Sequence, residues 1–392
     1  MTLRIGVVTV ARSDYGIYYP LLRLLQADPN FDLRLMVAAA HLDPKQGNTV
    51  QEIEKDGFPI AARVPMTLPA DSREAVAVAM GSGIQEFAAT YQQVRPDLLL
   101  VLGDRYEMFA AAIAALPFRI PVAHVHGGEL TLGAMDDAMR HSITKLSHIH
   151  FAATAEYARR IRQLGEEPWR VHTTGSPVID SILSIEAIPR AELEAEFELD
   201  LSRSLLITYH PVTLEEKPAE HASALLEAVS ACGYSLLFTY PNADPSSSDI
   251  MRMVYNLVAK NSNARLTANL GHRKYHSVQK YVAAMVGNSS SGIVEAASFQ
   301  LPVVNIGARQ AGRLRSVNVI DVGNSVEEIS RGIQTAVSAQ FRNSIANLQN
   351  PYGDGHASER IVSVLRNAQI SSPLLMKRFV DYELDAPAQP HA

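Results

Sequence analysis

Between residues 124 and 145 the sequence reads HVHGGELTLGAMDDAMRHSITK. His124, His126, Glu129, Asp136, Asp137 and His141 thus crowd around a Gly-Gly turn in a chain that is only 19% charged. Such a set can hold a metal ion, exchange protons with a small molecule, or simply begin a solvated helix. Zinc needs at least three protein ligands. His124 and His126 share one face of a strand, because side chains alternate with period two, but a third ligand must come from elsewhere. No metal is expected here. Asp136 and Asp137 head the run DDAMRHSITKLS, where carboxylates are stabilised by the positive end of a helix, and that alone accounts for them. It does not account for His126 and Glu129 flanking Gly-Gly at the end of the apolar run IPVAHV. Asp104, in VLGDRYEM, also follows an apolar run directly. Neighbouring carboxylates raise one another's pKa and a nearby cationic histidine lowers it, so Asp104, His126, Glu129 and Asp136 are the candidate acid/base groups.

A second group of residues suits an anion. VGNSSSGIVEAA follows an apolar strand and opens a helix, where unpaired backbone N–H groups and the helix dipole favour phosphate. An ordinary N-cap needs one serine; Ser289, Ser290 and Ser291 in succession, with Asn288 before and Gly292 after, point further, to a diphosphate. Glu295, under two turns on, is placed to accept hydrogen bonds from a ribose diol. NIGARQAGRLR supplies Arg309, Arg313 and Arg315 after the next strand, and the arginine fork matches phosphate oxygens in pairs. Arg12 in VTVARSDYG, Arg105 beside Asp104, His210 in TYHPVT and Asn242 in TYPNADP each leave the end of a strand-like run as well. The G-x-G-x-x-G and G-x-x-x-x-G-K-[ST] fingerprints are missing from the sequence, which argues against dinucleotide and ATP-hydrolysing readings.

All of these residues need strands to carry them to one rim. RIGVVTV, FDLRLMVAA, PDLLLVLGD and IPVAHVHGG are continuous apolar runs, each followed by a longer amphipathic segment, and SLLITYHP, YSLLFTYPN, AAMVGNSSSG and LPVVNIG repeat the pattern. Strands buried on both faces and alternating with helices imply parallel sheets. The expected fold class is therefore α/β, with two doubly wound Rossmann-like domains facing across a cleft, since open α/β sheets bind ligands outside the carboxyl ends of their strands. The expected divisions are residues 1–177 carrying the acid/base groups, 178–370 binding the anion, and 371–392 as a last helix and tail. At 392 residues the chain is long enough for two cores. Its net charge of −6 disfavours a nucleic-acid surface. Apolar runs fall short of the roughly 20 residues that span a bilayer, so no membrane partner is expected. A lone cysteine, Cys232, excludes an internal disulfide and, with no signal peptide in view, the cytoplasm is the default compartment.

In order, RSDYG, LGDRYE, HVHGGELTLGAMDDAMRHSITKLSHIHF, GSPVIDSI, HPVT, PNAD, VGNSSSGIVEA and NIGARQAGR resemble the motifs of hydrolysing UDP-N-acetylglucosamine 2-epimerases, enzymes that open sialic-acid and related nonulosonate pathways. The resemblance covers about residues 4 to 365. It implies the GT-B fold and no cofactor. It also implies a UDP-sugar substrate, UDP as product, and a homodimer or homotetramer. The serine turn, Glu295, Arg12, Arg105, His210, Asn242 and Arg309 resemble the family's uridine-diphosphate site, and Asp104 and Asp136 fall where the family places catalytic carboxylates. One departure stands out: some members read H-x-E-G-G-E where this chain has His126, so the proton-transfer role of that glutamate passes to His126 or Glu129. The implied reaction converts UDP-GlcNAc and water to N-acetylmannosamine and UDP through a glycal. The alternatives are the same reaction on UDP-2,4-diacetamido-2,4,6-trideoxyglucose, as in legionaminic-acid pathways, and a GT-B glycosyltransferase. A non-hydrolysing epimerase or a silent sugar-nucleotide sensor would share the nucleotide residues.

Overall fold

The computed structural model describes residues 2–44, 48–66, 72–132, 135–211, 218–240, 247–267 and 270–382. Each apolar run becomes a buried strand, and the strands form two parallel sheets.

The first sheet contains β1 (Leu3–Thr9), β2 (Phe31–Ala38), β3 (Ile60–Val64), β4 (Leu98–Leu102), β5 (Val122–Val125), β6 (Ile149–Ala152) and β7 (Val171–Thr173). Their spatial order is β3-β2-β1-β4-β5-β6-β7. The order reverses between β1 and β4, where Ile5 pairs with Leu98 and Val7 with Leu100. Loops leaving these two strands run to opposite sides and open a crevice at the carboxyl edge. β4, LLLVL, is buried at every residue, as a central parallel strand covered on both faces must be.

The second sheet contains β8 (Ser204–Thr208), β9 (Ser235–Thr239), β10 (Ala264–Thr267), β11 (Ala284–Gly287), β12 (Val303–Ile306) and β13 (Val319–Val322), ordered β10-β9-β8-β11-β12-β13. Its reversal lies between β8 and β11, and there the backbones come unusually close. Gly287, at φ 142°, would place a Cβ 2.0 Å from the Thr208 carbonyl oxygen, so no other residue fits the end of β11. The α/β class and the doubly wound winding expected from the sequence are both present.

The chain divides into two compact units, and the division departs from the expected one at the carboxyl end. One unit holds Met1–Glu129, Ala134–Pro177 and the chain from His356 on; the other holds Leu130–Gly133 and Val178–Gly355. Residues 356–370 were expected with the second domain and 371–392 as a separate piece, but the described residues of both, 356–382, return to the first unit. The cause is apolar. Helix Ala357–Asn367 buries Ile361, Val362 and Leu365 in the first core against helix Arg12–Ala27, and Leu374 follows them. Full burial of such side chains stabilises by about 1.5–3 kcal/mol each. Polar contacts fix the register: Arg366 meets Asp28 at 2.7 Å, and the buried Arg170 donates to the carbonyls of Pro373, Leu374 and Met376. Among the described residues no helix is long and apolar enough to cross a membrane.

Candidate active site

In the first unit, β4 and β5 deliver most of the expected acid/base groups to one place. Gly103 turns the chain at φ 71° directly after β4 and presents Asp104, whose Oδ2 accepts from Arg140 Nη2. Arg140 reaches it from helix Met135–Leu146 and is 3% exposed. The same guanidinium donates to the His126 carbonyl at 2.8 Å and lies 3.9 Å from Glu129 Oε2. Glu129, itself buried, lies 3.6 Å from His126 Nδ1, and His126 Nε2 is in hydrogen-bond contact with Ser176 Oγ at 2.8 Å. A continuous polar chain thus runs Ser176, His126, Glu129, Arg140, Asp104 across the ends of β7, β5 and β4.

His126 holds a left-handed backbone, φ 64°, which costs a non-glycine residue about 1–3 kcal/mol and persists only where the surroundings impose it. Here its N–H donates to Phe151 O, its carbonyl accepts from Arg140 and its ring meets Ser176. The adjacent Gly128, φ 77°, would put a Cβ 2.4 Å from the Tyr157 carbonyl, so the Gly-Gly pair is what allows the chain to turn under helix Ala155–Gln163. Asp136 sits in the first turn of helix Met135–Leu146. Burial, and then the negative charge of Asp104, push its carboxyl above the usual range. His124 faces the core. It touches Gly103 O at 2.7 Å and Thr144 Oγ1 at 3.2 Å, and burial lowers it to about 3, so it is neutral and structural. His148 and His150 are also hydrogen-bonded within the fold, to the Val122 amide and to Glu166.

Arg12 and Arg105 occupy the crevice ends of β1 and β4. Arg12 is exposed at the start of helix Arg12–Ala27; Arg105 Nε lies 3.4 Å from Glu107 Oε2.

The rim of the second unit is assembled around Asn288, which is fully buried. Its Oδ1 accepts from the His210 amide at 2.7 Å and its Nδ2 donates to the His210 carbonyl at 2.8 Å, locking the ends of β8 and β11 together. Its own carbonyl accepts from Arg309 Nη1 at 3.1 Å and Gln310 Nε2 at 2.9 Å, which fixes the loop after β12. His210, Ser289, Ser290 and Arg309 therefore gather at one edge. The His210 imidazole is lowered to about 3 by burial and then by Arg309, so it offers an N–H rather than a charge. Glu295 accepts from His276 Nε2 at 3.1 Å and Gln279 Nε2 at 3.2 Å.

Three sequence expectations change here. The serine turn opens a helix of only five residues, Ser290–Val294, too short for a substantial dipole, so an anion at this edge would be held by hydroxyls, nearby amides and Arg309. Ser291 is also turned away from the rim, buried against Tyr275 Oη at 2.6 Å. Arg315 bonds Asp321 at 2.7 Å and does not join the cluster, whereas the Arg313 side chain makes no hydrogen bond or ion pair among the described residues. Asn242 lies outside the described residues. Sequence reasoning missed Arg140, Ser176, Asp14 and Glu107; the last two are a buried carboxyl pair beside Arg105.

The sequence model of the UDP-N-acetylglucosamine 2-epimerase family matches residues 23–366. The GDP/UDP-N,N'-diacetylbacillosamine 2-epimerase (hydrolyzing) of Campylobacter jejuni is 38% identical over 383 residues, 96% of this chain and 99% of that protein. The UDP-N,N'-diacetylbacillosamine 2-epimerase (hydrolyzing) of Legionella pneumophila is 35% identical over 379 residues, with 96% and 99% covered. Among solved structures, the UDP-GlcNAc 2-epimerase from Neisseria meningitidis bound to UDP-GlcNAc aligns with a TM-score of 0.81 over 93% of this chain and 100% of that one, at 22% identity. That likeness is one of fold, the GT-B class expected from the sequence.

Proposed function

Because the chain belongs to the UDP-N-acetylglucosamine 2-epimerase family, we propose that it is a hydrolysing 2-epimerase that releases UDP from a UDP-2-acetamido sugar and inverts C2. The substrate we assign is UDP-2,4-diacetamido-2,4,6-trideoxyglucose, the UDP derivative of N,N'-diacetylbacillosamine. The 38% and 35% identical relatives named for that sugar support it over UDP-GlcNAc, reversing the order drawn from the sequence.

The observation that carries the reaction is the chain of ionisable groups from Ser176 to Asp104 in the first unit. The C2 proton is weakly acidic and needs a base held close and shielded from water. Asp104 and Glu129 act at the reacting carbons, both oriented by Arg140. As the C2–H electrons form the C1–C2 double bond, the C1–O bond breaks and UDP departs, leaving a glycal. Water then adds across that bond: hydroxide to C1, a proton to C2 from the opposite face. Asp136, whose carboxyl is pushed up and so retains a proton more readily than usual, assists hydration, and His126 passes protons between Glu129 and Ser176.

Charge develops on the leaving diphosphate. Ser289, Ser290, Arg309, Arg313 and the neutral His210 N–H supply donors for it in the second unit, with Glu295 on the ribose and Asn242 as a further donor. In the first unit, Arg12 and Arg105 are assigned as substrate-binding residues.

The test is direct. Incubation with UDP-2,4-diacetamido-2,4,6-trideoxyglucose in deuterated water, followed by phosphorus and proton NMR, is expected to give free UDP and a free manno-configured sugar carrying deuterium at C2. UDP-GlcNAc is expected to turn over more slowly, and the GDP-linked sugar serves as a control on the base. A product that retains UDP, or release that requires an added acceptor, would overturn the reading.

A further inference from the structure

The carboxyl group of Asp14 has no role in the reaction described above, yet it is only 7% exposed, at the carboxyl end of β1, two residues after Arg12. Its Oδ1 accepts from Ser13 Oγ at 3.3 Å, and among the described residues its Oδ2 has no hydrogen-bond partner. One turn along the same helix the fully buried Tyr18 hydroxyl also lacks one. Buried polar atoms are rarely left in this state, and such groups cluster where a proton or a ligand completes them.

Around Asp14 the charges do not balance. Arg105 contributes +1, while Glu107, 3% exposed in its side chain, and Asp14 contribute −1 each when ionised. Burial lifts Asp14 to about 6; Arg105 opposes that shift and Glu107 adds to it. The other titratable groups facing Arg105 cannot correct the sum. His41 is lowered to about 4 by burial and is bound to Thr9 Oγ1 at 2.9 Å and Thr49 Oγ1 at 2.7 Å. Tyr106 is raised to about 12 and Tyr18, which faces Asp14 itself, well above its usual value, so both stay neutral, and Asp136 is a further acid within reach of Arg105.

We propose that Asp14 is a positioning residue for the reaction: buried near the Arg105–Glu107 pair, it takes a proton from solvent when the anionic group of the substrate reaches the Arg105 guanidinium. The arriving anion replaces the charge of Asp14 at Arg105. Glu107 keeps its contact, and the orphaned Oδ2 is the atom that gains hydrogen. No other bond changes. The inference rests on the nucleotide-sugar reading, and Arg105 is open to such a ligand because its side chain is 42% exposed.

Calorimetric titration of the full chain with UDP at pH 7, in buffers of different ionisation enthalpy, counts protons exchanged on binding. The wild-type chain is expected to take up roughly half a proton or more beyond an Asp14→Asn variant that still binds UDP. The terminal phosphate of UDP titrates near pH 6, but it does so in both proteins and cancels in the difference. Equal uptake by the two proteins overturns the inference. If the variant does not fold, the wild-type series decides: after subtraction of the proton change on the terminal phosphate, read from the phosphorus NMR shifts of bound and free UDP, uptake must remain at pH 7 and vanish by pH 5, where Asp14 is already protonated, and any other pattern overturns it. Failure of the wild-type chain to bind UDP overturns the functional reading instead.

Discussion

The two sheets share one winding and one kind of edge, yet the groups they present there differ in kind. At the ends of β4 and β5 the first unit offers a buried ionic network in which Arg140 serves Asp104, Glu129 and the His126 carbonyl. At the ends of β8 and β11 the second unit offers hydroxyls, amides and a neutral imidazole, organised by Asn288, with Arg309 and Arg313 as the expected cations. An ionic network suits moving protons. A rim of neutral donors with few cations suits holding an anion without drawing its charge off before the bond breaks. The difference lies in the loops and helices between the strands, so topology places a site and the segments joining the strands decide its chemistry.

On this contrast, changes to the ionic network at β4 and β5 reduce turnover, and changes to the donor rim at β8 and β11 reduce affinity. The largest effect is expected from Asp104→Asn. It keeps a hydrogen bond to Arg140 but removes the carboxylate, and UDP release should slow by roughly 10²–10⁴-fold while UDP affinity, measured by calorimetry, changes little. A comparable loss of affinity would erase the distinction. Next is Gly287→Ala, whose methyl would collide with the Thr208 carbonyl; about 3 kcal/mol or more of stability should go, read as a lower denaturant midpoint.

Asp14→Asn sharpens the comparison through pH. The wild-type acid titrates near 6 when folded against an ordinary 3.8, so the stability it contributes is full below that lower value and is lost as pH rises through 6. Wild-type stability should fall by on the order of 2–3 kcal/mol relative to the variant between pH 4 and 7.5 in parallel urea melts. Glu295→Gln should raise KM roughly tenfold with kcat within about twofold, the size of one lost charge-assisted hydrogen bond. The smallest effect belongs to Arg315→Ala. Its partner Asp321 is half exposed, and the pair should be worth under about 1 kcal/mol, with KM unchanged.

Much of this was legible in the sequence because it is local. Apolar runs such as LLLVL can only be buried parallel strands, and whatever follows them lies on the carboxyl edge, which is how Asp104, His126, His210 and Ser289 were placed. Arg140 was not legible. Its partner Asp104 is 36 positions away, and they meet only because β5 lies beside β4. On its own helix Arg140 reads as an ordinary solvated charge. Asp14 was hidden for a similar reason, since an acidic residue in a first helical turn already has a sufficient explanation. Asn288 was read merely as a neighbour of the serines, although it ties both loops together. The helix at 357–367 was assigned with the second domain because amphipathicity names a face to bury and not the core that will receive it.

That returning helix has a consequence for synthesis. The ribosome finishes every residue of the second unit by Gly355, while the first still lacks Ile361, Val362, Leu365 and Leu374. During elongation the half translated later has all its parts before the half begun earlier, and the amino-terminal core waits with an open apolar seam until the last stretch of chain arrives to close it.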